Sequence, residues 1–319
     1  MNIVFLDAET LGQDISFEEL ESLGNFVKYD NTAPGNVLDR LRAADIAITN
    51  KTRITATIMS ACPNLRLICV AATGMNNIDL NAAAKAGIAV KNVAGYSTDS
   101  VVQLTYGILF SLMMHISWFD NYVKSGEYSK SSLFTSYART FSELSGKQIG
   151  IIGMGTIGKR SAAAGVSFGA NVVYYSTSGN NNSAPYTRLE LDELLKTSDI
   201  VLIHAPLNDQ TRNLINAEKL KLMKPSALLV NTGRGHIVNE ADLVEAINSE
   251  TVAGAALDVF SKEPLPEDNP LLNIKYPDRL ILTPHIAWTS IEARKRLLRG
   301  IVNNIVSMEN SIRFDEFRR

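Results

Sequence analysis

Gln148-Ile149-Gly150-Ile151-Ile152-Gly153-Met154-Gly155-Thr156-Ile157-Gly158, followed by Lys159-Arg160-Ser161-Ala162-Ala163-Ala164, is the stretch that decides how this chain folds. The apolar run up to Ile152 predicts a short buried strand, and the small residues after Gly158 predict a helix. A G-x-G-x-x-G run at such a junction has a physical purpose. The first glycine permits the tight turn, the second lets phosphates approach the backbone, and the third lets the helix pack on the strand. The free N–H groups and the positive dipole end of the helix then face an anion. Gly153, Gly155, Thr156, Ile157 and Gly158 are therefore candidate ligands of a dinucleotide pyrophosphate. Glycines also mark ordinary turns, so the strand–glycine–helix context carries the reading.

The chain of 319 residues is long enough for two domains. It is 45% hydrophobic and 20% charged, a globular composition. A formal net charge of -2 offers no basic face for nucleic acid or anionic membrane. Cys62 and Cys69 are the only two cysteines, and their spacing fits neither a zinc site nor a disulfide framework, so a buried apolar role is expected. Met1–Asp7 lacks the charged start and long apolar core of a secretory signal, and no uninterrupted apolar run reaches membrane-spanning length. A cytoplasmic enzyme fits these features.

Short β-rich runs alternate with helical patterns, which argues for parallel sheets built of βαβ units. Ile3–Leu6, Ile46–Thr49, Leu67–Val70 and Ile88–Lys91 are candidate strands of a small first domain, with helices near Phe17–Leu23 and Asn36–Ala43. A second series comprises Ile149–Ile152, Asn171–Tyr175, Ile200–His204, Leu228–Asn231, Gly254–Leu257 and Leu280–Leu282. A long apolar helix is expected from Thr98 to about Trp118, buried between domains or subunits. Asp120–Ser145, rich in Ser and Tyr, reads as an arm or interface element. A last helix near Ile291–Glu309 is expected to return to the first domain. The expected division is residues 1–97 and 289–319 as a discontinuous substrate (catalytic) domain, with 98–288 as the dinucleotide-binding domain.

An acidic residue at the end of the second strand of such a sheet bonds the ribose hydroxyls and repels a 2′-phosphate. Here that strand runs into Ser176-Thr177-Ser178-Gly179, so the acid is missing. These hydroxyls suit a ribose or a phosphate. Because no arginine adjoins them in sequence, NAD(H) is favoured, with NADP(H) as the alternative. Arg234, in Asn231-Thr232-Gly233-Arg234-Gly235, follows a strand and suits bidentate contact with a carboxylate. Glu263 and His285 also follow strands, and a carboxylate beside an imidazole orients it for proton transfer. Taken singly, each has an ordinary reading: a solvated arginine, a surface charge before Pro264, a loop histidine satisfied by a carbonyl. The inference rests on the set. Of the remaining histidines, His204 in His204-Ala205-Pro206-Leu207 is placed to line the adenine side, and His115 reads as packed or interfacial. No H-E-x-x-H spacing supports a metal and no G-x-S-x-G elbow supports a hydrolase.

Taken together, Ala72-Thr73-Gly74-Met75-Asn76-Asn77-Ile78-Asp79, Asn92–Val101, the Gly153–Gly158 run, His204–Leu207, Asn231–Gly235, Leu257-Asp258-Val259-Phe260 and Pro284–Trp288 resemble the D-isomer-specific 2-hydroxyacid dehydrogenases. The likeness is greatest to the glycerate dehydrogenase/hydroxypyruvate reductase branch. It implies an α/β protein of two doubly wound parallel-sheet domains: a Rossmann dinucleotide-binding domain and a smaller flavodoxin-like substrate domain. It implies reduction of a small 2-keto acid, hydroxypyruvate or glyoxylate, to the D-2-hydroxy acid, and the reverse. Arg234 would bind the substrate carboxylate and keto oxygen, His285 would be the acid/base, and Glu263 would pair with it. Lys51 and the amides at Thr73 and Gly74 would hold the carboxylate from the first domain, the two domains closing to exclude water. The cofactor would contact the glycine turn, Ser176, Thr177, Ser178, His204, Ala205, Pro206, Thr211, Thr232, Gly233, Arg234, Asp258, His285 and Ala287. A homodimer through the long helix and arm is also implied, with no metal. The alternatives are a phosphoglycerate dehydrogenase-like enzyme and a cofactor-sensing binding protein similar to the corepressors that resemble this family.

Overall fold

The structure is a computed structural model that describes residues 1–180, 182 and 185–316. The chain divides into two compact units, Met1–Ser97 with Thr289–Arg319, and Thr98–Trp288.

The first unit holds β1 (Asn2–Phe5), β2 (Asn25–Lys28), β3 (Ile46–Thr49), β4 (Leu67–Val70) and β5 (Ala89–Lys91) in the order β2-β1-β3-β4-β5, all parallel. That is the flavodoxin-like order. β3 and β4 are buried along their whole length, which is why they read as continuous apolar runs. Asn25–Lys28 was not among the expected strands. It is an edge strand exposed at three of its four residues, so it carries no apolar run. The C-terminal helix, Ile291–Glu316, belongs to this unit and buries Leu297, Ile301 and Ile305. Arg296 Nε donates to the Tyr96 carbonyl at 2.8 Å and Asn304 Nδ2 to the Asn92 carbonyl at 3.0 Å, which ties the helix to the chain on the far side of β5. Cys62 and Cys69 are both free and buried in the core, where desolvation pushes the Cys69 thiol up to about 12.

The second unit holds β6 (Gln148–Ile152), β7 (Asn171–Tyr175), β8 (Thr187–Arg188), β9 (Ile200–Ile203), β10 (Leu228–Asn231), β11 (Gly254–Leu257) and β12 (Leu280–Leu282). Their order is β12-β11-β10-β9-β6-β7-β8, again parallel throughout. Sequence reasoning counted six of these seven, because β8 is an exposed two-residue edge strand with no hydrophobic signature. The strand order reverses between β6 and β9, and ligands of open α/β sheets lie outside the carboxyl ends of the strands at such a switch point.

The long helix departs from expectation in two ways. It runs only from Thr98 to Met113, and a second helix, Ile116–Lys124, bends away by 59°. His115 between them is left-handed at φ 54, a conformation an α-helix cannot propagate. Its apolar face is also spent inside its own unit. Val101, Val102, Ile108, Leu109 and Leu112 are buried, and the helix packs on β10, β11, β12 and the helix Thr156–Ser167. Residues 131–147 form no regular helix or strand before β6 and leave Leu133, Phe134, Tyr137 and Phe141 exposed. Among the described residues no single helix is long and apolar enough to cross a membrane.

Candidate active site

The glycine turn sits at the carboxyl end of β6. Gly153 has φ +94 and its N–H donates to the Tyr175 carbonyl at 3.0 Å, which turns the chain sharply beside β7. A Cβ at Gly153 would lie 2.8 Å from the Ala205 nitrogen, so the turn also presses on the segment after β9. Gly158 is closed by backbone, since a Cβ there would stand 2.2 Å from the Gly153 carbonyl oxygen. Gly155 is the opposite case. It is the exposed N-cap of the helix Thr156–Ser167, has no side-chain cap, and faces open space. Unsatisfied amides at a helix N-terminus with nothing in front of them form a cradle for an anion, and a dinucleotide pyrophosphate fits it.

Three loops at the carboxyl ends of strands in this same parallel sheet carry Arg234, Glu263 and His285. They follow β10, β11 and β12, which are adjacent strands. The register puts Asn231, Leu257 and Leu282 on one rung, so the side chains leave the same edge of the sheet. Arg234 is half-buried in a turn stapled by Asn231. Asn231 Nδ2 donates to the Arg234 carbonyl at 2.9 Å, and its Oδ1 accepts from Gly233 N at 3.0 Å. Gly235 then meets the next loop, where a Cβ would fall 1.9 Å from the Phe260 carbonyl carbon. That loop curls so that Phe260 N donates to Glu263 Oε1 at 3.0 Å, while Glu263 Oε2 lies 2.7 Å from His285 Nδ1. The loop is anchored from behind by buried Glu240, whose Oε1 accepts from Ser261 N at 2.5 Å and whose Oε2 accepts from Asn269 Nδ2 at 2.8 Å. Neither Glu240 nor Asn269 was singled out from sequence. Each looks like an ordinary surface polar residue until its burial is known.

His285 is left-handed at φ 54, and Asp258 holds that turn. The Asp258 carboxylate accepts from Thr283 Oγ1 at 2.6 Å, Ile286 N at 2.9 Å and Ala287 N at 2.9 Å. Asp258 is fully buried, and desolvation raises its carboxyl above the usual range. Sequence reasoning placed Asp258 as a nicotinamide ligand. In the structure both its oxygens are engaged with the loop that carries His285. Thr211 is likewise held within its own loop. It is buried, and its hydroxyl donates to the Pro206 carbonyl at 2.7 Å, so it shapes the His204–Pro206 segment from within.

Beneath the turn runs a polar chain. His204 Nε2 lies 2.9 Å from Ser161 Oγ, His204 Nδ1 lies 3.3 Å from Thr232 Oγ1, and Thr232 Oγ1 lies 3.0 Å from Thr105 Oγ1. Burial holds the His204 imidazole down to about 4, so it is neutral at physiological pH. Of the other residues expected to meet the cofactor, Thr156 is exposed, Ile157 half-buried and Ala287 buried.

After β7, Ser176 is buried, and Thr177 and exposed Ser178 lead into Gly179 at φ 72. Although none adjoins it in sequence, an arginine stands beside this turn in space. Arg188 pairs with Tyr174 through β8, and its Nη1 donates to the Gly179 carbonyl at 2.7 Å. It lies nine positions beyond Gly179 in the chain, and only the strand pairing brings it close.

In the first unit, Lys51 and Thr73-Gly74 follow β3 and β4, whose last residues Thr49 and Val70 are paired. The Lys51 turn is set by buried Asp7, whose carboxylate accepts from Asn50 N at 2.8 Å, Lys51 N at 2.7 Å and Thr52 N at 2.8 Å. Thr73 is held by Asn92, whose Nδ2 donates to its carbonyl at 2.6 Å.

Residues 106–287 match the model of the D-isomer specific 2-hydroxyacid dehydrogenase NAD-binding domain. The chain belongs to the D-isomer-specific 2-hydroxyacid dehydrogenase family. A hydroxypyruvate reductase of Blautia hydrogenotrophica is 38% identical over 313 residues, covering 96% of each chain. Among solved structures, an acyclic imino acid reductase in complex with NADPH and D-Arg aligns with TM-score 0.87 at 28% identity, over 98% of each chain. A D-lactate dehydrogenase of Aquifex aeolicus complexed with NAD and lactic acid aligns with TM-score 0.85 at 27% identity, over 97% of this chain and 96% of that one. The fold is the Rossmann type with a second parallel sheet, and the protein is an oxidoreductase of this family.

Proposed function

We propose that this protein reduces a small 2-keto acid, hydroxypyruvate or glyoxylate, to the D-2-hydroxy acid and catalyses the reverse oxidation. The observation that carries the reading is the 2.7 Å pair of Glu263 Oε2 and His285 Nδ1 on loops adjoining the Arg234 turn. It is supported by the hydroxypyruvate reductase likeness across nearly the whole chain.

A bound nicotinamide dinucleotide, in its reduced form, supplies the hydride for C2 of the keto acid. Gly155 and the first turn of its helix hold the pyrophosphate, with His204-Ala205-Pro206 and Thr232-Gly233 lining the rest of the groove. Arg234 binds the substrate carboxylate and the carbonyl oxygen, and its fixed charge stabilises the negative charge that develops on that oxygen. With Nδ1 turned to Glu263, His285 has Nε2 left for the substrate. It gives its proton to the carbonyl oxygen during reduction and takes it back during oxidation. Glu263 stabilises the imidazolium and keeps the ring in one orientation. Asp258 acts through the backbone it holds, fixing the left-handed turn that aims His285.

The same reading makes the protein a cytoplasmic homodimer. Exposed Phe134, Tyr137 and Phe141 supply an apolar surface for a second copy, and two buried free thiols suit a reducing compartment.

The test is turnover of hydroxypyruvate and glyoxylate by His285→Ala. Turnover should fall ~10²–10⁴-fold with dinucleotide affinity unchanged. Parental turnover in this variant would overturn the role given to His285.

A further inference from the structure

We propose that this chain prefers NADP(H) to NAD(H), and that Arg188 is the residue that selects it. The proposal rests on the reading above that a nicotinamide dinucleotide occupies the groove of the second unit.

The turn after β7 is where a dinucleotide-binding sheet meets the adenosine ribose. An NAD-selective turn offers a carboxylate that takes both ribose hydroxyls and repels a 2′-phosphate. Ser176-Thr177-Ser178-Gly179-Asn180 contains no carboxylate, so nothing in the turn rejects the phosphate. Its polar groups are hydroxyls and amides. Ser178 is exposed, and its Oγ accepts from Asn180 N at 3.4 Å, which leaves its O–H free to donate outward.

Hydroxyls alone bind a dianion weakly, and Arg188 supplies the charge. Exposed on β8, it bridges back to the Gly179 carbonyl at 2.7 Å. That bond uses one of five N–H donors of a planar fork shaped for phosphate oxygens. Among the described residues Arg188 has no carboxylate partner, in contrast to Arg160, whose Nε lies 3.2 Å from Asp99. Anchored at one nitrogen and unpaired in charge, the guanidinium is held against the turn without being neutralised. Gly179 at φ 72 curls the chain so that its carbonyl meets Arg188, and a Cβ there would touch nothing, so the mouth of the turn is open.

A merely structural Arg188, bracing the turn, would affect both dinucleotides alike. The experiment therefore measures binding rather than turnover. The full chain is titrated with NADPH and with NADH, following nicotinamide fluorescence, with 2′,5′-ADP and 5′-AMP as competitors. NADPH should bind ~10–100-fold more tightly than NADH, and 2′,5′-ADP should compete better than 5′-AMP by a similar factor. Arg188→Ala should remove most of that difference while leaving NADH affinity in place, and Arg188→Lys should restore part of it. Equal or tighter NADH binding by the parent would overturn the proposal and leave the reductase reading standing. An equal loss for both dinucleotides in Arg188→Ala would reduce Arg188 to a brace and likewise overturn it. Binding of neither dinucleotide would defeat the underlying functional reading as well.

Discussion

Replacing Gly235 by alanine is the sharpest test of how the site is assembled. Gly235 lies where the Arg234 turn meets the loop carrying Glu263. An added Cβ would sit 1.9 Å from the Phe260 carbonyl carbon, 2.0 Å from its oxygen and 2.5 Å from Ser261 N. Carbon atoms in contact normally stand about 3.5–4.0 Å apart, so the two loops must separate by about 1.5 Å. Both neighbours are backbone, and no side chain can rotate away. Ser261 N is also pinned to buried Glu240, which resists the movement. Overpacking of this kind costs about 1–3 kcal/mol, a loss that a domain stable by about 5–15 kcal/mol survives. Activity should suffer far more. A displacement of about 1 Å in a reacting group costs roughly 10²-fold, and the shift falls between Arg234 and the Glu263–His285 pair. Urea unfolding followed by tryptophan fluorescence, with steady-state reduction of hydroxypyruvate, measures both effects. Dinucleotide affinity should hold, because the Gly153–Gly158 turn is untouched. A Gly235→Ala protein with parental turnover and midpoint would refute the claim that these loops are in backbone contact.

Gly155→Ala should do the reverse: its Cβ meets no protein atom, so stability should stay within about 0.5 kcal/mol while dinucleotide binding weakens, as calorimetric titration would register. Arg234→Lys should lower turnover and raise KM for the keto acid, because an ammonium cannot reproduce bidentate contact; kinetics equal to the parent would count against the carboxylate role. The His204 imidazole is held down to about 4, against an ordinary 6.5, so below pH 6.5 the unfolded chain takes up a proton that the folded one refuses. Stability from this group is therefore complete above pH 6.5 and is lost as pH falls towards 4, by up to about 3 kcal/mol. Unfolding curves of His204→Gln should lack that component, and identical pH slopes in the two proteins would contradict it.

What could be read from the sequence follows from where each segment lies. β3, β4, β9, β10 and β11 are central strands covered on both faces, and their apolar runs announce them. β2 and β8 are edges with exposed side chains, so their pairing leaves no hydrophobic trace. The break at His115 was invisible for another reason: neither glycine nor proline marks it, and a left-handed histidine has no local signature. Glycine spacing announced the turn after β6, yet the contrast between closed Gly158 and open Gly155 is a matter of three dimensions. Asp258 and Thr211 have the chemistry of ligands, and the contacts that bind them to their own loops are not visible in the sequence. Arg188 shows the limit most clearly. Its distance from Gly179 along the chain hid a contact that strand pairing creates.

Thr98–Trp288 is a single unbroken stretch, and it carries the glycine turn, Arg234, Glu263 and His285 together. The other unit is made of two pieces, with Lys51, Thr73 and Gly74 in the first. On the roles proposed above, the second unit is a cassette with two junctions, and an exchange at those junctions would replace the portion bearing Lys51 and Thr73 while leaving Arg234, Glu263 and His285 together on one stretch of chain.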